Sequence, residues 1–152
     1  MSAPRYVGVA MAYASEVNPE PGIRRAPTIV EQTRAIARAA ATQGGELLEP
    51  VVVAHQNVGL GRDVLEAITG RAATGAYFLT IDVLRSGRTI DEALLCAIWE
   101  LTGRVDLLIE DVHLGDAASF RNYLDMVRAI NEVRVRDASP AWLELVHDGA
   151  PQ

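Results

Sequence analysis

The feature that most constrains this chain is a regular alternation of short apolar segments with segments of helical periodicity. Four times, an apolar run of strand length is followed by a stretch whose apolar residues recur at helical spacing. Repeated strand–helix units favour parallel strands, because a parallel pair needs a crossover connection. The sequence therefore predicts a three-layer α/β fold, with a mostly parallel sheet of four to five strands flanked by helices. The predicted strands are 5–14, 46–54, 76–81 and 105–109.

Capping patterns indicate where the predicted helices begin. Thr28 with Glu31, and Thr89 with Glu92, have the spacing of a capping box, in which a hydroxyl accepts a hydrogen bond from a backbone N–H of the first turn. The first pattern predicts a helix from Thr28 to the glycines that follow residue 43, and the second predicts one that ends at another glycine. A smaller helix is predicted over 62–71.

Prolines mark the irregular parts of the chain. Pro50 lies inside the second predicted strand, and because it cannot donate to a sheet it predicts an edge strand or a bulge. Three further prolines fall in 15–27, which predicts an exposed loop. A long last helix begins near Asp116, and 137–152 follow it as a tail. This tail is too short for a DNA-binding unit, so we expect one domain over 1–152 without a separate DNA-binding domain.

Composition excludes several classes of function. All 14 cationic residues are arginine, so Schiff-base lysine chemistry and a Walker-type phosphate loop are excluded. The single cysteine, Cys96, excludes an intramolecular disulfide. The formal net charge of −6 predicts that DNA is at most a weak partner. No apolar run has the length of a membrane span, so we expect a cytoplasmic protein that does not enter a membrane.

Polar residues collect where the predicted strands end, which is where ligands bind in open α/β sheets. An aspartate beside two arginines can form a phosphate site, and a loop at a helix start can add another guanidinium. A capped turn with solvated arginines explains the same residues, and both interpretations stay open at this point. The candidate anion-binding residues are Arg62, Asp82, Arg85, Ser86 and Arg88.

Histidines and the cysteine suggest little further chemistry. His55 and His113 also follow predicted strands, close to acidic residues, but their spacing lacks a metal-binding signature, so no metal site and no cofactor are predicted. Cys96 lies on the apolar face of a predicted helix and is predicted to be a buried, unreactive thiol.

Five features follow one another over residues 5–136, namely Tyr6-Val7-Gly8-Val9-Ala10, the helix with Gln32 and Ile36, Gly61-Arg62 with Leu65, Ile81-Asp82-Val83-Leu84, and the apolar stripe of the last helix. Their order resembles the N-terminal catalytic domain of the resolvase/invertase-type serine recombinases. The resemblance implies a resolvase-like fold and a dimer formed through the long last helix. On that stripe the expected interface residues are Phe120, Tyr123, Leu124, Val127 and Ile130.

The departures from this family concern its chemistry. Ala10 stands where the family has its nucleophilic serine, and a methyl group cannot form a phosphoserine link to DNA. Gly8 and Val83 stand where the family has arginines, so only Arg62 and Asp82 remain of the phosphate-activating set. The resemblance therefore implies a retained fold without recombinase catalysis, and the prediction names no catalytic residue.

Three functions remain as hypotheses. The first is a catalytically inactive recombinase-like domain that forms a homodimer or binds another protein, with a regulatory role. The second is a small phosphoryl-transfer or nucleotide-binding enzyme that uses the aspartate and arginines at the strand ends. The third is an active DNA recombinase domain with displaced catalytic residues.

Overall fold

The computed structural model describes residues 3–12, 28–54 and 60–138, which form a mixed sheet, a small hairpin and four helices. The sheet is five strands wide in the order β2/β3, β1, β4, β7, β8, where only the β7–β8 pair is antiparallel. The predicted three-layer α/β architecture is confirmed. The strands are β1 (Arg5–Ala12), β2 (Glu46–Leu47), β3 (Val51–Ala54), β4 (Gly75–Phe78), β5 (Arg85–Ser86), β6 (Thr89–Ile90), β7 (Val105–Leu107) and β8 (Val112–Leu114). The helices are α1 (Ile29–Thr42), α2 (Leu60–Gly70), α3 (Glu92–Thr102) and α4 (Ala117–Ala138), with a 3-10 helix over Ile81–Leu84.

The proline in the second predicted strand produces both an edge and a bulge. The strand is divided into β2 and β3, which pair in parallel with the same side of β1 at one edge of the sheet. Tyr6 pairs with Leu47, whereas Val9 pairs with Val51, so one extra residue lies on the edge strand between these pairs. Pro50 falls in this interruption, where no ladder hydrogen bond is required of it.

The two faces of the sheet are covered differently. On one face, Val7 and Val9 of β1 belong to the larger apolar core, which α2, α3 and α4 complete. In that core the ring of Trp99 on α3 stacks on Phe120 of α4, with ring centroids 4.5 Å apart. On the opposite face a smaller core forms around α1, which contributes Ile36 and Ala40 and packs them with Tyr6 and Tyr77.

Several predicted boundaries differ from the structure. The third predicted strand ends at Phe78, because Thr80 already caps the 3-10 helix that begins at Ile81, and the fourth ends at Leu107 in a turn. The β5–β6 hairpin and strand β8 were not predicted. Thr28 caps α1 as predicted, but α3 is capped by Asp91, because Thr89 is part of β6. The predicted loop 15–27 and all but the first two residues of the tail 137–152 lie outside the described residues.

None of the helices in the described part of the chain is long and apolar enough to cross a bilayer.

Candidate functional site

Positions 8, 10 and 83, where the family resemblance expects catalytic side chains, all lie inside the protein. Ala10 is fully buried on β1, and Val83 is 2% exposed in the 3-10 helix. A Cβ atom on Gly8 would lie 2.9 Å from Leu47 Cδ1 and 3.2 Å from Ile36 Cγ2. An arginine side chain at position 8 would therefore require the core under α1 to move. The core around these positions is packed for small or apolar side chains.

The carboxyl end of β1 is held by an amide side chain. Gln32 of α1 is 1% exposed, and its Oε1 accepts a hydrogen bond of 2.9 Å from the Met11 N–H. Its Nε2 donates to the Met11 carbonyl oxygen at 2.6 Å. The amide thus makes the pair of hydrogen bonds that a neighbouring strand would make, and it attaches α1 to the end of β1.

The carboxyl ends of β4 and β7 are joined through a carboxylate. Glu110, in the turn after β7, accepts hydrogen bonds at Oε1 from the Thr80 hydroxyl and from the Ile81 N–H, the latter at 3.2 Å. Tyr123 of α4 is buried nearby, and burial, together with the charges of Glu110 and Asp82, raises the pKa of its phenol. Neither Glu110 Oε2 nor the Tyr123 hydroxyl has a hydrogen-bond partner among the described residues, although both are buried.

The candidate anion-binding residues lie on three elements, namely α2, the 3-10 helix and the β5–β6 hairpin. The Arg85 N–H donates to the Asp82 carbonyl, and Arg134 donates to the Arg88 carbonyl, so these contacts involve backbone atoms of the candidate arginines. Asp82 Oδ1 lies 3.7 Å from Arg134 Nη2 of α4, so its cationic partner is neither of the arginines in the β5–β6 hairpin. Within residues 3–12, 28–54 and 60–138, no carboxylate pairs with the guanidinium of Arg62, Arg85 or Arg88. These three arginines and Ser86 are exposed. The anion site therefore stays a prediction.

The β5–β6 hairpin is attached to α4 by Asn131, which is 7% exposed. Asn131 Oδ1 accepts from the Ile90 N–H at 2.8 Å, and Nδ2 donates to the Ile90 carbonyl at 2.9 Å. Nδ2 also lies 3.2 Å from Glu92 Oε2, and Arg128 Nε is 2.9 Å from Glu92 Oε1. The segment around Asp82 is consequently held between β4 and the second half of α4.

A second polar cluster, which we call the Asp106 network, lies on the α1 face of the sheet. Asp106 of β7 is fully buried, and its two carboxylate oxygens contact Arg104 Nε at 3.2 Å and His113 Nδ1 at 2.6 Å. Arg104 Nε also donates to the Tyr6 hydroxyl, and Arg104 Nη2 donates to Gln43 Oε1 at 3.1 Å. The members of the network are Tyr6, Gln43, Tyr77, Arg104, Asp106, Asp111 and His113.

Most of the predicted dimer stripe on α4 is internal to the chain. Phe120, Tyr123 and Leu124 are each 7% exposed and Val127 is 1% exposed, all within the larger core, while Ile130 is half-buried. The exposed apolar side chains of α4 are instead Met126, Val133 and Val135. Helical periodicity identified the apolar face correctly, but the same chain covers that face.

The histidines and the cysteine have no arrangement for metal binding or nucleophilic catalysis in the part of the chain that is described. No group of three or more His, Cys, Asp or Glu side chains there could hold a metal ion. His55 lies outside the described residues, whereas His113 belongs to the Asp106 network. Burial raises the pKa of the Cys96 thiol, which disfavours the reactive thiolate.

Sequence reasoning missed three residues that make several polar contacts, namely Arg104, Asp106 and Asn131, and it named Gln32 only as part of the family resemblance. One signal was present, because Asp106 is a charged residue inside an apolar strand segment and such a residue needs a partner. The partners themselves come from elements far apart in the chain, so no local pattern indicates them.

Comparisons with known proteins agree with the predicted resemblance at the level of the fold. The chain is similar to a solved structure of the N-terminal catalytic domain of TP901-1 integrase, a serine recombinase, with a TM-score of 0.62. The match covers 85% of this chain and 95% of that one, at 14% sequence identity. No protein-family model and no curated protein matches the chain. The chain therefore has the fold of a serine-recombinase catalytic domain.

Proposed function

We propose that this chain is a recombinase-like domain without DNA-cleaving activity, and that it works as a dimerisation or protein-interaction module with a regulatory role. The observation that carries the proposal is the environment of positions 8, 10 and 83. Each lies in a packed core, and this packing supports the proposal that no serine or arginine side chain replaces the missing groups there. Without a hydroxyl nucleophile and converging guanidinium groups, a phosphodiester is neither attacked nor stabilised in its transition state.

A test for covalent chemistry follows directly. The protein is incubated with supercoiled DNA, and the mixture is denatured and examined for protein covalently bound to cut DNA, with an active serine recombinase as positive control. We expect no adduct. An adduct that forms with this chain and disappears in a Ser86→Ala or Ser119→Ala variant would overturn the proposal and identify a displaced nucleophile.

The converse experiment restores the family residues. We expect the Gly8→Arg/Ala10→Ser/Val83→Arg variant to remain inactive and to unfold more easily, because two of its new side chains carry charge into the core. The conservative Ala10→Ser variant alone is the control, since it adds one oxygen at a buried position. Recovery of DNA cleavage by either variant would show that the fold still supports the reaction.

For the interaction, we propose that the exposed side of α4 pairs with a second copy of the chain. Met126 is 47% exposed and Val133 44% exposed, and the half-buried Ile130 lies between them. In an antiparallel pair with its two-fold axis near Ala129, Met126 would lie beside Val133 of the other copy, and Asp125 would lie near Arg136. Such an isologous arrangement is the commonest form of homodimer.

Sedimentation tests this proposal with a matched control. We expect a dimer for the natural sequence and a monomer for Met126→Asp/Val133→Asp, whereas Leu101→Asp, at a residue of similar exposure on α3, should remain a dimer. A natural chain that is monomeric at all concentrations would contradict self-association and leave an unrelated protein as the partner. A cytoplasmic location belongs to the same proposal and is tested by cell fractionation.

A further inference from the structure

His113 lies between two carboxylates in different surroundings. Its Nδ1 is 2.6 Å from Asp106 Oδ1, which is fully buried, and its Nε2 is 2.9 Å from Asp111 Oδ1. The Asp111 side chain is 89% exposed. An imidazolium carries two N–H donors and can serve both carboxylates, whereas a neutral imidazole carries only one.

Among the described groups that form ion pairs in the Asp106 network, the charges balance only when His113 is protonated. Arg104 and protonated His113 then match Asp106 and Asp111, and the titratable side chains that the neighbouring strands contribute are the phenols of Tyr6 and Tyr77. Burial raises the pKa of both phenols, so they stay neutral around neutral pH. Burial lowers the pKa of His113, but the hydrogen bonds and charges of the two aspartates outweigh it and leave that pKa raised.

The second carboxylate of this bridge belongs to a turn in which its own residue has a left-handed backbone conformation. Asp111 has a backbone φ of 52°, in the left-handed region that side chains other than glycine, asparagine and aspartate rarely adopt. The turn connects β7 with β8 and also contains Glu110, which accepts hydrogen bonds from Thr80 and Ile81. The contact between His113 and Asp111 therefore holds the same turn that supports the start of the 3-10 helix.

We propose that His113 is a proton-dependent clamp that holds the β7–β8 turn against the sheet. When His113 is protonated, it bridges Asp106 and Asp111. When it loses the proton to water, the remaining N–H stays with Asp106. A buried carboxylate without a hydrogen-bond donor destabilises the protein more than an exposed one, which water can solvate. Asp111 then separates from the ring, and the turn loosens, together with the contact of Glu110 at Thr80 and Ile81.

The clamp makes the segment after β4 sensitive to pH, although His113 itself does not contact that segment. The link is Glu110, which lies in the clamped turn and contacts Thr80 and Ile81. Asp82 follows Ile81 in the 3-10 helix and pairs with Arg134 of α4. A change in the turn thus reaches α4, whose exposed side carries the proposed dimer surface. The clamp itself does not depend on that surface, since its groups lie within one chain.

An NMR titration of the full chain tests the clamp. In a His55→Gln/His147→Gln background, His113 is the only histidine, so its ring signal is assigned without ambiguity. We expect a titration midpoint above the ordinary histidine value of 6.5, with the amide signals of Ile81, Glu110 and Asp111 changing at the same midpoint. A midpoint at or below 6.5, or an Ile81 amide that does not follow the ring, would overturn the proposal.

Two charge-neutralising variants separate the clamp from a general effect of charge. Asp111→Asn keeps a residue that tolerates the left-handed conformation but removes the carboxylate, so the His113 midpoint should fall and the amide changes should shrink. Asp125→Asn removes the same charge on the exposed surface of α4, and it should leave the His113 midpoint and the size of the amide changes as they are in the natural chain. Equal shifts in the two variants would show that His113 senses only net charge and would contradict a specific clamp.

Discussion

The two polar regions of this sheet differ in how their charges are used. At the carboxyl ends of the strands, Arg62, Arg85 and Arg88 are exposed. On the α1 face, Arg104 contacts Asp106, Tyr6 and Gln43 at once, and Asp106 is fully buried. A buried carboxylate is stable only with donors on its oxygens, whereas an exposed guanidinium is satisfied by water. Burial, more than the number of arginines, therefore decides where charge contributes to the structure.

The largest expected effect comes from removing the central cation of the Asp106 network. We expect Arg104→Ala to lower the free energy of unfolding by about 3 kcal/mol, because Asp106 loses one donor without becoming exposed. Arg85→Ala, the matched change among the exposed arginines, should change it by no more than about 0.5 kcal/mol. Urea denaturation measures both, and equal effects would remove the distinction between the two regions.

The next effect concerns the amides that hold the strand ends. Gln32→Ala should cost about 2 kcal/mol, because the N–H and carbonyl of Met11 both lose their partner in a buried place. Asn131→Ala should cost a similar amount for the same reason at Ile90. Gln43→Ala serves as the comparison, because the Gln43 amide forms hydrogen bonds with the side chains of Tyr77 and Arg104 and not with a strand backbone. A larger loss of unfolding free energy in Gln43→Ala would contradict the expected order.

The pH dependence of stability tests the Asp106 network further. The folded protein raises the pKa of His113, so its stabilising contribution is complete below the ordinary value of 6.5 and is lost as the pH rises through the folded pKa. The difference in melting temperature between the natural chain and His113→Asn should therefore shrink with rising pH. A difference that is constant or grows would show that the proton on His113 does not stabilise the fold.

The smallest effect is expected for the ion pair between Asp82 and Arg134. Its atoms lie 3.7 Å apart and both side chains are partly exposed, so a double-mutant cycle with alanine at both positions should give a coupling of about 0.5 kcal/mol. The same cycle between Asp82 and Arg85 should give no coupling. If the second cycle shows the stronger coupling, the aspartate and the hairpin arginine do meet in solution and the anion site regains support.

The fold was predictable to the extent that its signals are local. Thr28 caps α1 because the geometry of a first helical turn brings its hydroxyl close to the N–H of Glu31, three residues later. Pro50 interrupts an edge strand because proline has no backbone N–H to donate. Strand β8 was missed because three residues with His113 at the centre show no apolar run. The position of Thr89 suggested a cap, but Asp91 accepts the hydrogen bond from Leu94 instead.

The candidate site was less predictable, since its contacts join distant parts of the chain. Asp82 was found from its place after a strand, but its partner Arg134 lies on α4, 52 residues later in the chain. The apolar stripe of α4 was found from its periodicity, which does not tell whether the same chain or a second copy covers it. In the structure, most of the stripe packs on the sheet and α3.

The sequence by itself determined the α/β class and the start of α1 at Thr28, because periodicity and capping act within a few residues. Only the tertiary structure decided which charges meet. Tyr6 and Arg104 are 98 residues apart in the chain and share a hydrogen bond because β1 and β7 lie on either side of β4 in the sheet. Strand order and register bring such groups together, and neither can be seen in the sequence of one strand.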